Sequence, residues 1–118
     1  MKLLTDKIEL ALRKNPLNSQ DGKGIDTKLI VKYFNPIGSG TWLITEGEQL
    51  ENGDWELFGL CYIFEWEWGN VMLSELQSIS FPFGLGIERD EFAEKTVREQ
   101  LIVDGEDEYV AMYNSWRK

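Results

Sequence analysis

Carboxylates are the reactive groups this chain has in number: it carries 21 Asp and Glu against 12 Lys and Arg, no histidine and one cysteine. The densest arrangement is Phe64-Glu65-Trp66-Glu67-Trp68, where rings and acids alternate. At the two-residue period of a strand, Phe64, Trp66 and Trp68 share one face and Glu65 and Glu67 share the other. Such residues have three uses. Acids converging on a point hold a hard cation through oxygen; Glu46, Glu67, Glu88 and Asp90, expected at strand ends or connections, are the set for one divalent ion. Ionised acids beside exposed rings instead make a docking surface for a basic partner, and Glu65, Trp66, Glu67 and Trp68, with Glu48, Glu51 and Asp54, are the residues for it. The third use is structural, with rings in the core and acids in water.

Other chemistry is excluded by residue type. Without histidine there is no general base of the usual kind near neutral pH, no Ser/His or Cys/His nucleophile, and no imidazole for zinc. Neither a phosphate-cradling Gly-x-x-x-x-Gly-Lys nor a Gly-x-Gly-x-x-Gly occurs. Cys61, between Leu60 and Tyr62, is expected to be a small apolar filler. A glycosidase-like carboxylate pair would need a sugar cleft that so short a chain offers little room for. Asp104, Glu106, Asp107 and Glu108 cluster at an expected helix start, where the macrodipole accounts for them. No catalytic residue is assigned, and the expected mode of action is binding rather than catalysis.

The distribution of charge says more than its sum. From Tyr33 to Ile87 there is no Lys or Arg, while Glu46, Glu48, Glu51, Asp54, Glu56, Glu65, Glu67 and Glu75 all fall there and Glu88 follows. These nine acids equal the net charge of -9, so the flanks balance. Trp42, Trp55, Trp66 and Trp68 lie in the same cation-free block. Such a surface repels phosphate backbones and attracts basic proteins; acidity for solubility alone is the plainer alternative. No apolar run is long enough to span a bilayer and no signal peptide is evident, so a cytoplasmic protein without membrane contact is expected.

The elements that must position these groups follow from local signals, and a single domain over 1–118 is expected. Thr5 caps an amphipathic helix with Leu4, Ile8, Ala11 and Leu12 on one stripe, ended at Asn15-Pro16. Asn18 to Asp26 reads as a loop. Leu29–Phe34 and Thr41–Glu46 read as a strand pair, and Asn52-Gly53 turns the chain into a long third strand from Trp55 to Phe64, bulged at Gly59. Ser74-Glu75-Leu76-Gln77 opens a short helix to Ile79, Ile87–Asp90 adds an edge strand, and Thr96-Val97-Arg98-Glu99 is a capping box. Val97, Leu101 and Ile102 are expected on that helix's inner side; Gly105 interrupts it, and Glu106–Trp116 forms a last helix. The fold class is α+β: an antiparallel sheet of three to five strands with N-terminal, middle and C-terminal helices packed on it.

Thr41-Trp42-Leu43-Ile44-Thr45-Glu46, Leu57-Phe58-Gly59-Leu60, Gly69 to Leu76 and Gly84 to Asp90 together carry a resemblance. Over Leu4 to Leu101 the chain resembles the bacterial family of unknown function DUF2958, small proteins carried by plasmids, conjugative elements and phages. Met72 stands where that family usually has serine, which places the helix start at Ser74, and the tail from Val103 is particular to this chain. The resemblance implies no catalytic residues; it puts Glu46, Glu67, Glu75, Glu88, Arg89 and Asp90 at matching positions. A mobile-element setting makes the small acidic chain similar in size and charge to anti-CRISPR and anti-restriction inhibitors. The expected function is inhibition of a host nucleic-acid-targeting enzyme, a type II CRISPR effector nuclease above all, by protein–protein binding without direct nucleic-acid contact. The alternative is a carboxylate-ligated metal-binding protein or an enzyme of unknown substrate.

Overall fold

The computed structural model describes residues 1–90 and 94–116. Five antiparallel strands, β1 (Val31–Phe34), β2 (Thr41–Gln49), β3 (Trp55–Tyr62), β4 (Trp66–Met72) and β5 (Glu88–Arg89), form one sheet in the order β4-β3-β2-β1-β5. Among the described residues four helices join them: α1 (Asp6–Lys14), α2 (Leu73–Ser78), α3 (Val97–Val103) and α4 (Asp107–Trp116). The class is α+β, with cores on both faces of the sheet.

Strand parity sorts the two cores. Trp42, Ile44, Trp55 and Leu57 point to the face covered by α1 and α2, where they pack with Ile8, Leu12, Leu73 and Leu76. Leu43 and Leu60 point to the other face and meet Val97 and Leu101 of α3 and Tyr109, Val110 and Tyr113 of α4. β2 is therefore buried from both sides along Trp42–Gly47. Its register against β3 shifts between Ile44 and Glu46, so the bulge lies on β2 and not on β3 at Gly59 as expected. Gly59 is required for a different reason. It faces Ile44 across the ladder, and a Cβ there would stand 1.9 Å from the Leu43 carbonyl oxygen.

The helix ends follow the local chemistry. Thr5 Oγ1 accepts from Ile8 N at 3.2 Å, and Thr96 Oγ1 accepts from Glu99 N at 3.2 Å while Glu99 Oε1 accepts from Thr96 N at 2.9 Å. α2 begins one residue earlier than Ser74. Met72 is its cap residue, with Glu75 Oε1 accepting from Met72 N at 3.0 Å, and Ser74 N donates at 3.1 Å to Asp54 Oδ1. Asp54 thus supplies from β3's approach the oxygen that a serine at position 72 would supply locally. Gly53, at φ 89, turns the β2–β3 hairpin at Asn52-Gly53. Ile102 is 51% exposed rather than inward, because the α3–α4 bend at Gly105 leaves that side of α3 uncovered.

The close strand crossing yields a stability prediction. Gly59→Ala forces Leu43 and Gly59 apart and is expected to cost about 3 kcal/mol in urea denaturation. Gly69→Ala, where a Cβ meets nothing within 4 Å, is expected to stay within about 0.5 kcal/mol of the parent.

Candidate functional site

The alternating rings and acids do not continue β3. The chain reverses after Tyr62, residues 63–65 form the turn, and Trp66 opens β4 against Tyr62. Phe64 consequently leaves the face it was expected to share with the indoles and stands 92% exposed at the tip, beside half-exposed Ile63. Two open depressions flank this tip. One, about 410 Å³, lies on the α1/α2 side and is lined by Trp42, Cys61, Phe64 and Val71 with Glu65, Glu67 and Glu75. The other, about 290 Å³, lies on the α4 side and is lined by Tyr62, Phe64, Trp66, Tyr109 and Trp116 with Glu65, Glu106 and Glu108. No Lys or Arg among the described residues lines either.

The second depression has an ordered aromatic wall. Tyr62 and Trp66 meet with centroids 5.1 Å apart, Trp66 and Tyr109 at 5.8 Å, and Trp116 stands edge-on to Tyr109 at 6.2 Å. Trp68 stacks on Phe58 at 5.9 Å and is half-buried. The Trp66 indole Nε1 is buried, and no group among the described residues accepts its hydrogen. On the opposite face, Glu65 and Glu67 hydrogen-bond to each other, and this bond, together with their mutual repulsion, holds the Glu67 carboxyl above the ordinary glutamate range. The two neighbouring acids concentrate negative charge at one spot of the tip. Burial pushes the Cys61 thiol up to about 11, so it is a filler and not a nucleophile at neutral pH.

The expected docking residues fall in two places. Glu65, Trp66, Glu67 and Trp68 meet at the β3–β4 tip. Glu48, Glu51 and Asp54 sit at the β2–β3 turn, the other end of β3, roughly 23 Å away at a strand's rise per residue. Successive turns of a meander lie at opposite ends, so sequence proximity could not join them. Asp54 is moreover committed to α2: the Ser74 hydroxyl donates to it, followed in weight by the Trp55 and Ser74 amides, and these hold its carboxyl below the usual range. Two of the four tryptophans, Trp42 and Trp55, are core residues; Arg13 stacks on Trp55 at 5.1 Å.

The four proposed metal ligands are not brought together. Glu67 is on β4 and Glu88 on β5, the two opposite edges of the sheet. Asp90 follows β5, where its N–H donates to Lys32 O at 2.9 Å. Glu46 is 3% exposed, and its carboxylate is occupied by backbone donors, Asn18 N at 2.9 Å and Gln20 N at 2.7 Å. Among the described residues no group of three or more carboxylates or thiols stands close enough to hold a metal ion. Nothing in the alternation of residues signalled that the basic residues of the two flanks also collect, which they do at the β1/β5 edge.

Two outcomes follow. Glu46→Ala leaves the Asn18 and Gln20 amides without acceptors; it is expected to cost about 2 kcal/mol and to speed hydrogen exchange at those two amides while leaving α3 protected. For the tip, folding raises the Glu67 value, so the folded chain holds a proton there more readily than the unfolded chain does. That proton's contribution is present below the ordinary glutamate value and lost as pH rises through the raised one. A carbon-detected NMR titration is expected to place Glu67 above a free glutamate and Glu65→Gln to bring it back; an unchanged midpoint in that variant would refute the influence of Glu65 on Glu67.

No curated protein and no solved structure matches the chain. One family model does, described as "Protein of unknown function (DUF2958)", over residues 3–102. The match spans every strand, α1, α2 and all but the end of α3, and leaves α4, with its half of the second depression, outside. With its whole sheet inside that match, this chain belongs to the DUF2958 family.

Proposed function

We propose that this chain acts by protein–protein binding, docking the β3–β4 tip on a basic surface of a nucleic-acid-handling enzyme and inhibiting it. One observation carries the reading: an exposed phenylalanine stands between two ring-walled depressions bordered by five carboxylates and by no cation among the described residues. Phe64 is the apolar anchor, and Glu65 and Glu67 with Glu75 on one side and Glu106 and Glu108 on the other steer the encounter. Exposed carboxylates act over about 10 Å at moderate salt, so association is fast and salt-sensitive. Among partner classes, the effector nuclease of a type II CRISPR system offers the matching chemistry, a positively charged channel built to hold a guide–target heteroduplex. The resemblance to mobile-element proteins supports a host-defence target.

The test is cleavage by a purified type II effector with increasing amounts of this chain, at low and high salt. The parent chain is expected to inhibit, more weakly at high salt. Phe64→Ala and the Glu65→Gln/Glu67→Gln pair are each expected to raise the half-inhibitory concentration about tenfold or more, with melting curves showing an intact fold. Inhibition untouched by both variants would remove the tip from the interface, and a chain that neither binds nor slows the nuclease would remove the partner class.

A further inference from the structure

We infer that the opposite edge of the sheet carries an oxyanion site, built to take the phosphate group of a small phosphorylated molecule. β5 is two residues long and pairs only with Tyr33 and Phe34 of β1. Beyond it Asp90 N still donates to Lys32 O at 2.9 Å, no described strand pairs with the edge of β1 at Val31, and a recess of about 120 Å³ opens there. That is room for several waters or one phosphate-sized ion. Its polar lining is mainly basic: Lys7 from the first turn of α1, Lys32 from β1, Arg89 from β5, and Lys95, with Thr5 and Gln100 beside them, and the aliphatic Ile8, Leu29, Ile30 and Val31 make up most of the rest. Asp90 is the one acid among the described residues that lines it. Four of the twelve cations of a chain whose net charge is -9 thus surround one small cavity.

Several of these groups are held in place by neighbours. Lys32 Nζ pairs with Asp104 Oδ2 at 2.9 Å, and Asp104 Oδ1 in turn accepts from Gln100 Nε2 at 2.9 Å; Gln100 is 3% exposed. Arg89 Nε donates to the Lys2 carbonyl at 2.9 Å, which fixes the guanidinium against the N-terminal segment. Lys95 makes no ion pair with any described residue, while its carbonyl accepts from Leu29 N at 2.9 Å and so ties its backbone to the start of β1. Lys95 has no acid paired with it among the described residues, and a bound oxyanion would supply that partner through charge-assisted hydrogen bonds, with Lys7, Lys32 and Arg89 adding to the attraction. The recess adjoins a second depression of about 290 Å³ that shares Lys7 and Lys95 and adds Lys14, Lys28, the exposed Leu10 and the acid Glu94. A phosphate in the recess would leave the body of the ligand along this groove, its apolar part over Leu10 and further anionic groups near Lys14 and Lys28. Net acidity elsewhere disfavours long polyanions, which favours a small ligand.

The experiment follows backbone amide shifts of the whole chain by NMR during titration with inorganic phosphate, with pyrophosphate, and with a short single-stranded oligonucleotide at fixed ionic strength. Saturable shifts confined to Lys7, Lys32, Arg89, Lys95 and their neighbours are expected with both small anions, pyrophosphate binding tighter. Lys95→Ala and, separately, Lys7→Ala are expected to weaken pyrophosphate about tenfold. Lys23→Ala, on the distant loop where Lys23 Nζ donates to Gln20 Oε1, is expected to change nothing. An oligonucleotide that binds far tighter than pyrophosphate through the same residues would keep the phosphate site and assign its source to a nucleic-acid backbone. Shifts that fail to saturate, that spread evenly over all lysines, or that Lys23→Ala weakens as much as Lys95→Ala would overturn the site. The site shares no residue with the β3–β4 tip, so the Glu65→Gln/Glu67→Gln variant should bind pyrophosphate as the parent does whether or not the tip inhibits a nuclease.

Discussion

A single extra residue in β2 sets much of this molecule's geometry. Between Ile44 and Glu46 the register against β3 slips, so that Trp42 and Ile44 face α1 and α2, yet Glu46 pairs across to Phe58 and faces the other way. Without the bulge, strict alternation would put the Glu46 carboxylate in the apolar layer under α1, where no donor could repay its desolvation. With it, the carboxylate meets the Asn18 and Gln20 amides of the segment that carries the chain from α1 around to the far face. That segment ends in the turn Gly24–Asp26, with Ile25 fully buried beneath α3 and α4. The bulge, the close approach at Gly59 and the buried acid therefore act together to let one central strand serve two cores.

The second consequence of the sheet is electrical. Along the chain the basic and acidic residues of the flanks cancel, and only the middle is unbalanced. The fold redistributes them. Strand order puts β4, with Glu65, Glu67 and the acids of the α4 lead-in, at one edge, and puts β5, with the lysines of α1 and those around Thr96, at the other. A chain of net charge -9 thereby presents a negative end and a positive recess. Such separated fields orient approaching partners and ligands well beyond contact. The two ends differ in build as well as sign: the acidic end is an open tip with a protruding ring, and the basic end a small recess with its walls tied by hydrogen bonds.

Much of the architecture was legible because it is written in short-range signals. Thr5 and Thr96 cap their helices through bonds that span three residues, Asn52-Gly53 turns a hairpin by its own backbone preference, and Gly105 parts α3 from α4 at φ 79. The turn at residues 63–65 was not legible, since Ile63 and Phe64 have strand-forming side chains and carry no turn residue; the reversal is imposed by Trp66 pairing with Tyr62. The bulge was assigned to Gly59 because glycine is its usual mark, whereas the partner strand has the extra residue. The proposed ligand set of Glu46, Glu67, Glu88 and Asp90 failed to converge because strand order, which no local pattern encodes, sends β4 and β5 to opposite edges.

What the sequence determined by itself was the kind of surface available: acids and rings with no imidazole, a cation-free middle, helices and strands of given period, and the family to which they belong. These depend on residue type and on neighbours within a few positions. What only the tertiary structure decided was which of those groups share a place. Glu48, Glu51 and Asp54 were separated from Glu65 and Glu67 by the length of one strand, and Lys7, Lys32, Arg89 and Lys95 were gathered from distant parts of the chain into one recess. The reason is that an antiparallel meander sends neighbouring turns to opposite ends while its edges collect residues far apart in sequence, so spacing along the chain and distance in space are set by different rules.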